Sequence, residues 1–132
     1  MRRLQDFRPG DTFELVRTAD RYLPIYYAAV SGDFNPIHID RDVARAAGFP
    51  DAILQGMCTM AWVADACSAY FGDPVRVRRL RVRFSRPVIV GDRVTLRGRC
   101  TAVEGPVVKV ELAAVTQRGE EVLKGASAEA VF

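Results

Sequence analysis

The residues with the clearest capacity for chemistry are one aspartate and the only histidine of the chain. His38 follows Asp33 by five positions. A neutral imidazole accepts a proton at physiological pH, and a carboxylate beside it can orient a water molecule and share the proton transfer. The pair therefore predicts activation of one nucleophilic water. The same two residues also suit a turn-capping Asp and a surface His, so spacing alone leaves both interpretations open.

A second candidate for chemistry is Gly56, which begins a long apolar segment. Met57 to Tyr70 is rich in Ala, Met, Val and Cys, and Asp65 is its only formal charge. This composition predicts a helix buried on most faces. The first N–H groups of a helix have no partner within it, and the helix dipole adds partial positive charge there. We therefore expect the start of this helix to stabilise an oxyanion.

Asp33 and His38 are predicted to lie on a loop between helices. The apolar segment Arg21 to Val30 predicts a buried helix, which Thr18 or Asp20 caps and Ser31-Gly32 ends. The pair Asn35-Pro36 then favours an extended or turn conformation and opposes continuation of the helix. Asp40 is a good N-cap for a short helix through Ala47, which Gly48 and Pro50 close.

The remaining elements predict a sheet. Asp11 to Arg17 indicates a short strand, and Leu80, Val82 and Phe84 alternate with arginines. Val75 and Val77 are out of phase with that alternation, which predicts a bulge or a strand start near Arg78-Arg79. Short turns separate three further strands, at 93–103, 107–116 and 120–132. We expect an α+β domain over residues 1–132, in which an antiparallel sheet wraps one hydrophobic helix, as in a hot-dog fold.

Composition limits the classes of protein that remain. Hydrophobic residues make up 49% of the 132 residues and charged residues 27%, which is ordinary globular usage. No apolar run approaches the roughly 18 residues that a membrane span needs. Cys58, Cys67 and Cys100 are scattered and odd in number, and the N-terminus runs into no apolar leader. These features favour the cytoplasm.

Three segments together resemble a known family. They are Tyr27-Ala-Ala-Val-Ser-Gly-Asp-Phe-Asn-Pro-Ile-His-Ile-Asp40, Ala46-Ala-Gly-Phe-Pro50 and Ile53-Leu-Gln-Gly-Met-Cys-Thr-Met60. The combination resembles the MaoC-like, (R)-specific enoyl hydratases, especially the short mycobacterial-type (3R)-hydroxyacyl-carrier-protein dehydratase subunits. The strong match runs from 26 to 63, with weaker echoes at 7–10 and 83–88.

The resemblance implies roles for individual residues. Asp33 and His38 match the catalytic pair, and Gly56 matches the residue whose N–H binds the thioester oxygen. Residues that shape the site would be Ser31, Asn35, Pro36 and Gln55. Gln55 departs from the family, which commonly has a titratable His at this position. The implied reaction is syn addition of water to a trans-2-enoyl thioester, or its reverse, with an (R)-3-hydroxyacyl thioester as the other species.

Partners and cofactors follow from the same resemblance. No metal or cofactor is expected, since one His and dispersed Cys cannot form a convincing zinc site and no Gly-rich phosphate loop is present. Five arginines lie within 76–83 although the net charge is only +3. Of these, Arg79, Arg81 and Arg83 either face solvent or bind coenzyme A phosphates or an acidic acyl carrier protein. Nucleic acid is not expected, because aromatic residues do not interleave with them.

Two other functions and two assemblies stay open. A hot-dog thioesterase would use similar groups to hydrolyse the C–S bond, and a binding subunit would hold acyl thioesters without catalysis. Open sheet edges predict a dimer. The dimer is expected to be a homodimer, with a heterodimer containing a related hot-dog subunit as the alternative.

Overall fold

A computed structural model describes the chain over residues 1–132 and contains five strands and four α-helices. In chain order they are β1 (Thr12–Thr18), α1 (Leu23–Ser31), α2 (Pro36–Ile39), α3 (Arg41–Ala46), α4 (Gly56–Phe71), β2 (Val77–Phe84), β3 (Arg93–Glu104), β4 (Val107–Thr116) and β5 (Glu121–Val131). Short 3-10 turns occupy Leu4–Asp6 and Pro74–Arg76. No helix is both long enough and apolar enough to cross a bilayer.

The strands form one antiparallel sheet in the order β1-β3-β4-β5-β2. Consecutive pairing of β3, β4 and β5 confirms the predicted meander, and β2 joins its far edge beside β5. A register shift between Val77 and Arg79 confirms the predicted bulge. Bulges increase local twist, so the edge strand bends relative to its neighbour.

Helix α4 packs against the sheet with one face and leaves the opposite face open. Its buried side chains include Trp62, Val63 and Phe71, which join the inward residues of the strands in a single core. The predicted sheet around a central hydrophobic helix is therefore present. The structure differs from the expectation in one respect. Met57, Ala61, Asp65 and Ala69 lie at four-residue spacing along one face of α4, and all four are exposed.

Helix α1 was expected to be buried, and this prediction is wrong for the single chain. Only Pro24 and Ala28 are buried, whereas Tyr26 is 66% exposed and Val30 is 87% exposed. The helix also begins two residues later than predicted. The Asp20 carboxylate accepts hydrogen bonds from the N–H groups of residues 22 and 23, which holds the preceding residues in a turn.

The segment around His38 is a one-turn helix instead of the predicted loop. Asn35 caps α2 by accepting a hydrogen bond from the Ile37 N–H, and Pro36 occupies the first helical position. A proline there loses no intrahelical hydrogen bond, and its fixed φ suits a helix start. The Asn35-Pro36 pair therefore prevents continuation of α1 and also begins a new helix. Asp40 caps α3 as expected.

A short bridge fixes the segment between α3 and α4 to the sheet. The Leu54 N–H donates to the Val88 carbonyl at 2.8 Å, and the Val90 N–H donates to the Ala52 carbonyl at 2.9 Å. The segment at 88–92 is anchored in turn by Asp92, which pairs with Arg118 at 2.6 Å. Burial acts to raise the pKa of Asp92, but hydrogen bonds from Arg118 and its other donors outweigh this and lower it.

Candidate active site

Asp33 is positioned by the residues that end α1. Gly32 adopts a left-handed conformation with φ of 78°, which a side chain would disfavour, and turns the chain away from the helix. The Ser31 hydroxyl donates to the Tyr27 carbonyl at 2.6 Å and accepts from the Asp33 N–H at 3.2 Å. The Asp33 carboxylate accepts from the Asn35 N–H at 3.3 Å. These local bonds leave the second carboxylate oxygen free to face His38.

The His38 ring has a defined orientation and tautomer. Its Nδ1 atom lies 2.7 Å from the Ile53 carbonyl oxygen. A carbonyl only accepts, so Nδ1 carries the hydrogen, and Nε2 of the neutral ring has a free lone pair. Nε2 lies 3.6 Å from Oδ2 of Asp33. At this distance the two acceptors do not bond directly, and both can accept from one water placed between them.

The two members of the pair differ in exposure. The His38 side chain is 10% exposed and that of Asp33 is 48% exposed. His38 lines a cavity of about 360 Å³. Asp33 is not among the lining residues, and its carboxylate is near the cavity because it faces His38. A water held by both groups would thus stand at the boundary between the cavity and solvent.

Gly56 lies in the same cavity as His38. It is the first residue of α4, and no acceptor in the chain takes a hydrogen bond from its N–H. The Phe84 ring is close enough that a side chain at position 56 would place its Cβ 3.3 Å from the ring. The absence of a side chain at Gly56 therefore leaves room for the Phe84 ring to line the cavity beside the free N–H donor.

The buried Gln55 side chain links separate segments of the site through hydrogen bonds. It is 1% exposed, and its Nε2 donates to the Pro24 carbonyl at 2.8 Å and to the Asp33 carbonyl at 3.4 Å. Its Oε1 is buried without a partner. Pro24 lies in the first turn of α1 and Gly56 begins α4, so one uncharged side chain links both helices to the backbone of Asp33.

Thiols near the site are poor nucleophiles. Burial raises the pKa of Cys58 to about 11 and that of Cys67 to about 12. Because the thiolate is the reactive form, both groups are inert at neutral pH. No cluster of three or more His, Cys, Asp or Glu side chains could hold a metal ion.

The arginines singled out by the sequence do not reach the cavity. Arg79, Arg81 and Arg83 are exposed on β2, while Phe84 of the same strand lines the cavity. Arg79 pairs with Glu129 at 3.7 Å. In the register with β5, Arg81 lies opposite Ser127 and Arg83 lies opposite Lys124. Arg81 and Arg83 therefore have no acidic partner across the strand pair.

Sequence reasoning gave no role in the site to several residues that line the cavity, among them Thr59, Phe84 and Arg86. The alternation along β2 could have placed Phe84 on the inner face. Helical spacing could have placed Thr59 on the face of Gly56, three residues earlier. Arg86 lies within the weak family echo at 83–88, but its position at the cavity depends on the turn after β2.

Comparison with known proteins supplies a family and relatives. The family model described as "MaoC like domain" matches residues 9–122. The peroxisomal multifunctional enzyme type 2 of Drosophila melanogaster is 42% identical over 101 residues, which is 74% of this chain and 16% of that protein. The 3-hydroxyacyl-thioester dehydratase X of Mycobacterium tuberculosis is 47% identical over 64 residues, which is 48% of this chain and 22% of that protein.

A solved structure supports the same fold. The R-hydratase PhaJ1 of Pseudomonas aeruginosa, in its unliganded form, superposes with a TM-score of 0.88 at 25% identity. The match covers 97% of this chain and 84% of that one. The likeness confirms the predicted hot-dog fold. The two curated relatives are much longer proteins, of which the present chain matches less than a quarter.

Proposed function

The chain belongs to the MaoC-like domain family, and from this premise we propose that it is an (R)-specific hydratase of 2-enoyl thioesters, or a dehydratase of (3R)-hydroxyacyl thioesters. The family and the hydro-lyase names of its relatives support the general reaction. The observation that carries the proposal for this chain is the geometry of Asp33 and His38 beside the cavity that Gly56 shares.

In the proposed reaction, Asp33 and His38 hold one water between them. The Ile53 carbonyl keeps the hydrogen of His38 on Nδ1, so Nε2 takes a proton from the water as its oxygen attacks C3 of the enoyl group. The half-exposed Asp33 carboxylate orients the same water. One of the two groups then delivers a proton to C2 on the same face, which gives overall syn addition of H and OH. Either group can do so, because both hold the same water.

Attack at C3 moves an electron pair through C2 onto the thioester carbonyl oxygen. The free N–H of Gly56, at the positive end of α4, is placed to stabilise that oxygen. The cavity removes the carbonyl from bulk water, which strengthens this hydrogen bond. No metal or cofactor takes part in the proposed steps, and the reverse sequence removes water.

The carrier and the assembly are further parts of the proposal. We propose that coenzyme A or an acyl carrier protein presents the acyl group, with Arg79, Arg81 and Arg83 as candidate contacts. A second hot-dog subunit, most simply another copy of this chain, would cover the open apolar face of α1. Three separated buried cysteines suit a reducing compartment such as the cytoplasm.

Two alternatives predict different products. A thioesterase would use the same water to attack the carbonyl carbon and release the thiol. A binding subunit would take up the thioester and leave it unchanged. The location of His38 and the free Gly56 N–H in one cavity favours catalysis, since a binding subunit needs no general base.

The experiment is conversion of crotonyl thioesters by the purified chain, on coenzyme A and on an acyl carrier protein. We expect loss of enoyl absorbance without release of free thiol, and (R)-3-hydroxybutyryl thioester as the product. Release of free thiol together with crotonate, without 3-hydroxybutyryl thioester, would replace this proposal with the thioesterase. Binding without either change would replace it with the binding subunit.

A further inference from the structure

Thr59 places a hydroxyl in the cavity that the mechanism above does not use. The residue is 3% exposed and lines the cavity together with His38 and Gly56. Two other hydroxyls of the chain show the usual alternative, a partner within the chain. The Ser31 hydroxyl donates to the Tyr27 carbonyl one turn earlier, and the Thr116 hydroxyl accepts from two backbone N–H groups. The Thr59 hydroxyl makes no hydrogen bond to any residue of the chain, and unlike the buried Tyr70 hydroxyl it keeps contact with the cavity.

Helix geometry places this hydroxyl near the start of α4. Residues three apart lie on the same helix face, so Thr59 lies on the face of Gly56. Side chains on a helix lean toward its N-terminus and cover the preceding turn. The Thr59 side chain therefore lies over the turn whose first N–H is free, within the same cavity.

We propose that the Thr59 hydroxyl is the second hydrogen-bond donor to the thioester carbonyl oxygen, beside the Gly56 N–H. This inference rests on the proposed hydration reaction and assigns a catalytic residue to it. In the ground state the hydroxyl donates to a neutral carbonyl. As the electron pair moves onto that oxygen the same hydrogen bond strengthens, so Thr59 stabilises the transition state more than the substrate.

Packing alone does not account for a threonine at this position. The Thr59 hydroxyl is open to the cavity and is not sealed in the core, and a valine of the same shape would pack equally well there. The first turn of α4 also gives the hydroxyl an acceptor, the Gln55 carbonyl one turn earlier, yet that carbonyl accepts from the N–H groups of Cys58 and Thr59. The hydroxyl is thus left for a ligand in the cavity.

The test compares Thr59→Val, which removes the hydroxyl and keeps the shape, with Thr59→Ser, which keeps the hydroxyl and removes a methyl group. We expect Thr59→Val to lower kcat for crotonyl thioester hydration on the order of 10²-fold with little change in KM, as for loss of one oxyanion donor. Thr59→Ser should stay close to the native kcat. Thermal unfolding of both variants checks that the fold is retained.

The outcomes distinguish failure of the role proposed for Thr59 from failure of the proposed hydratase function. A native kcat in Thr59→Val would overturn the role of the hydroxyl while leaving the hydratase assignment intact. Equal losses in both variants would show that shape matters and would also overturn it. Absence of hydration by the native chain would overturn the proposed function itself, and the role of Thr59 with it.

Discussion

At the scale of single residues, the site depends on hydrogen bonds made by groups that take no part in the reaction. The Ile53 carbonyl fixes the His38 tautomer, and Gln55 fixes the backbone of Asp33. Because a His-carbonyl bond leaves Nε2 as the acceptor, one backbone oxygen determines which ring atom can act as a base. The orientation of Asp33 and His38 therefore depends on the hydrogen bonds made by Ile53 and Gln55.

Replacing Gln55 tests this dependence. Gln55→Met keeps a similar shape but removes the donor to the Pro24 and Asp33 carbonyls. We expect it to destabilise the chain by about 1–3 kcal/mol, the usual cost of leaving buried polar groups unpaired. We also expect kcat to fall by about tenfold or more with a smaller change in KM, because misplacing a reacting group mainly affects the chemical step.

Gln117→Met serves as the control for Gln55→Met, since the Gln117 amide bonds to Asp92 and contacts no residue of the pair. Thermal unfolding and steady-state kinetics give the two readouts separately. If Gln55→Met kept the native kcat and lost only stability, Gln55 would be a packing residue and nothing more.

Part of the site could be predicted from the sequence, and the reason lies in spacing. Asp33, His38 and Gly56 are recognisable because their motif is local in the chain. The Ile53 carbonyl and Thr59 are not, because their roles depend on where the bridge between 52–54 and 88–90 places the start of α4. Contacts between segments far apart in sequence carry no local signal of this kind.

At the scale of elements, α2 and β2 show where local patterns are ambiguous. Asn35-Pro36 was expected to stop the preceding helix and lead into a loop, yet the same pair begins a short helix, because proline at the first helical position has no hydrogen bond to lose. The alternation along β2 correctly predicted a strand and its bulge. It did not reveal which end of the strand meets the cavity, since that depends on pairing with β5.

Strand β2 carries the prediction about the carrier. Arg81 and Arg83 face Ser127 and Lys124 across the strand pair, and like charges directly opposite do not stabilise a sheet. If they bind an acidic carrier protein, Arg81→Glu with Arg83→Glu should raise KM for the carrier-protein substrate by about tenfold. The effect should weaken at high salt, with kcat unchanged.

Arg97→Glu is the matched control for the β2 arginines, because Arg97 is exposed on the sheet but pairs with Glu14 near the opposite edge. Kinetics with the carrier-protein and coenzyme A substrates separate a protein partner from a phosphate ligand. An unchanged KM for both substrates would show that Arg81 and Arg83 only face solvent and do not bind the carrier.

At the scale of the whole molecule, one chain leaves apolar surface uncovered. Tyr22, which caps α1, and Tyr26 and Val30 within it lie at four-residue spacing and are 52%, 66% and 87% exposed. A helix stripe of this kind marks an interaction surface more often than a monomer's exterior. The sequence could predict that a partner exists but assigned these residues to the core of one chain, because apolar composition does not say which surface buries them.

The purified chain should therefore be a dimer at micromolar concentration. Val30→Asp should shift it toward the monomer, because a charge on the covered face of α1 would be buried without a partner. Val75→Asp is the control, since Val75 is 70% exposed and lies beyond the end of α4. Sedimentation equilibrium measures both variants. A dimer that persists in Val30→Asp would place the interface elsewhere.

The central claim, that Asp33 and His38 activate one water for addition to an enoyl thioester, is tested most directly by crotonyl thioester hydration in Asp33→Asn and His38→Ala. Asp65→Asn, an exposed change on the open face of α4, serves as control. We expect each of the first two variants to lose on the order of 10²-fold or more in kcat, with folding retained and the control unaffected. Nearly full hydration activity in either variant would contradict the account.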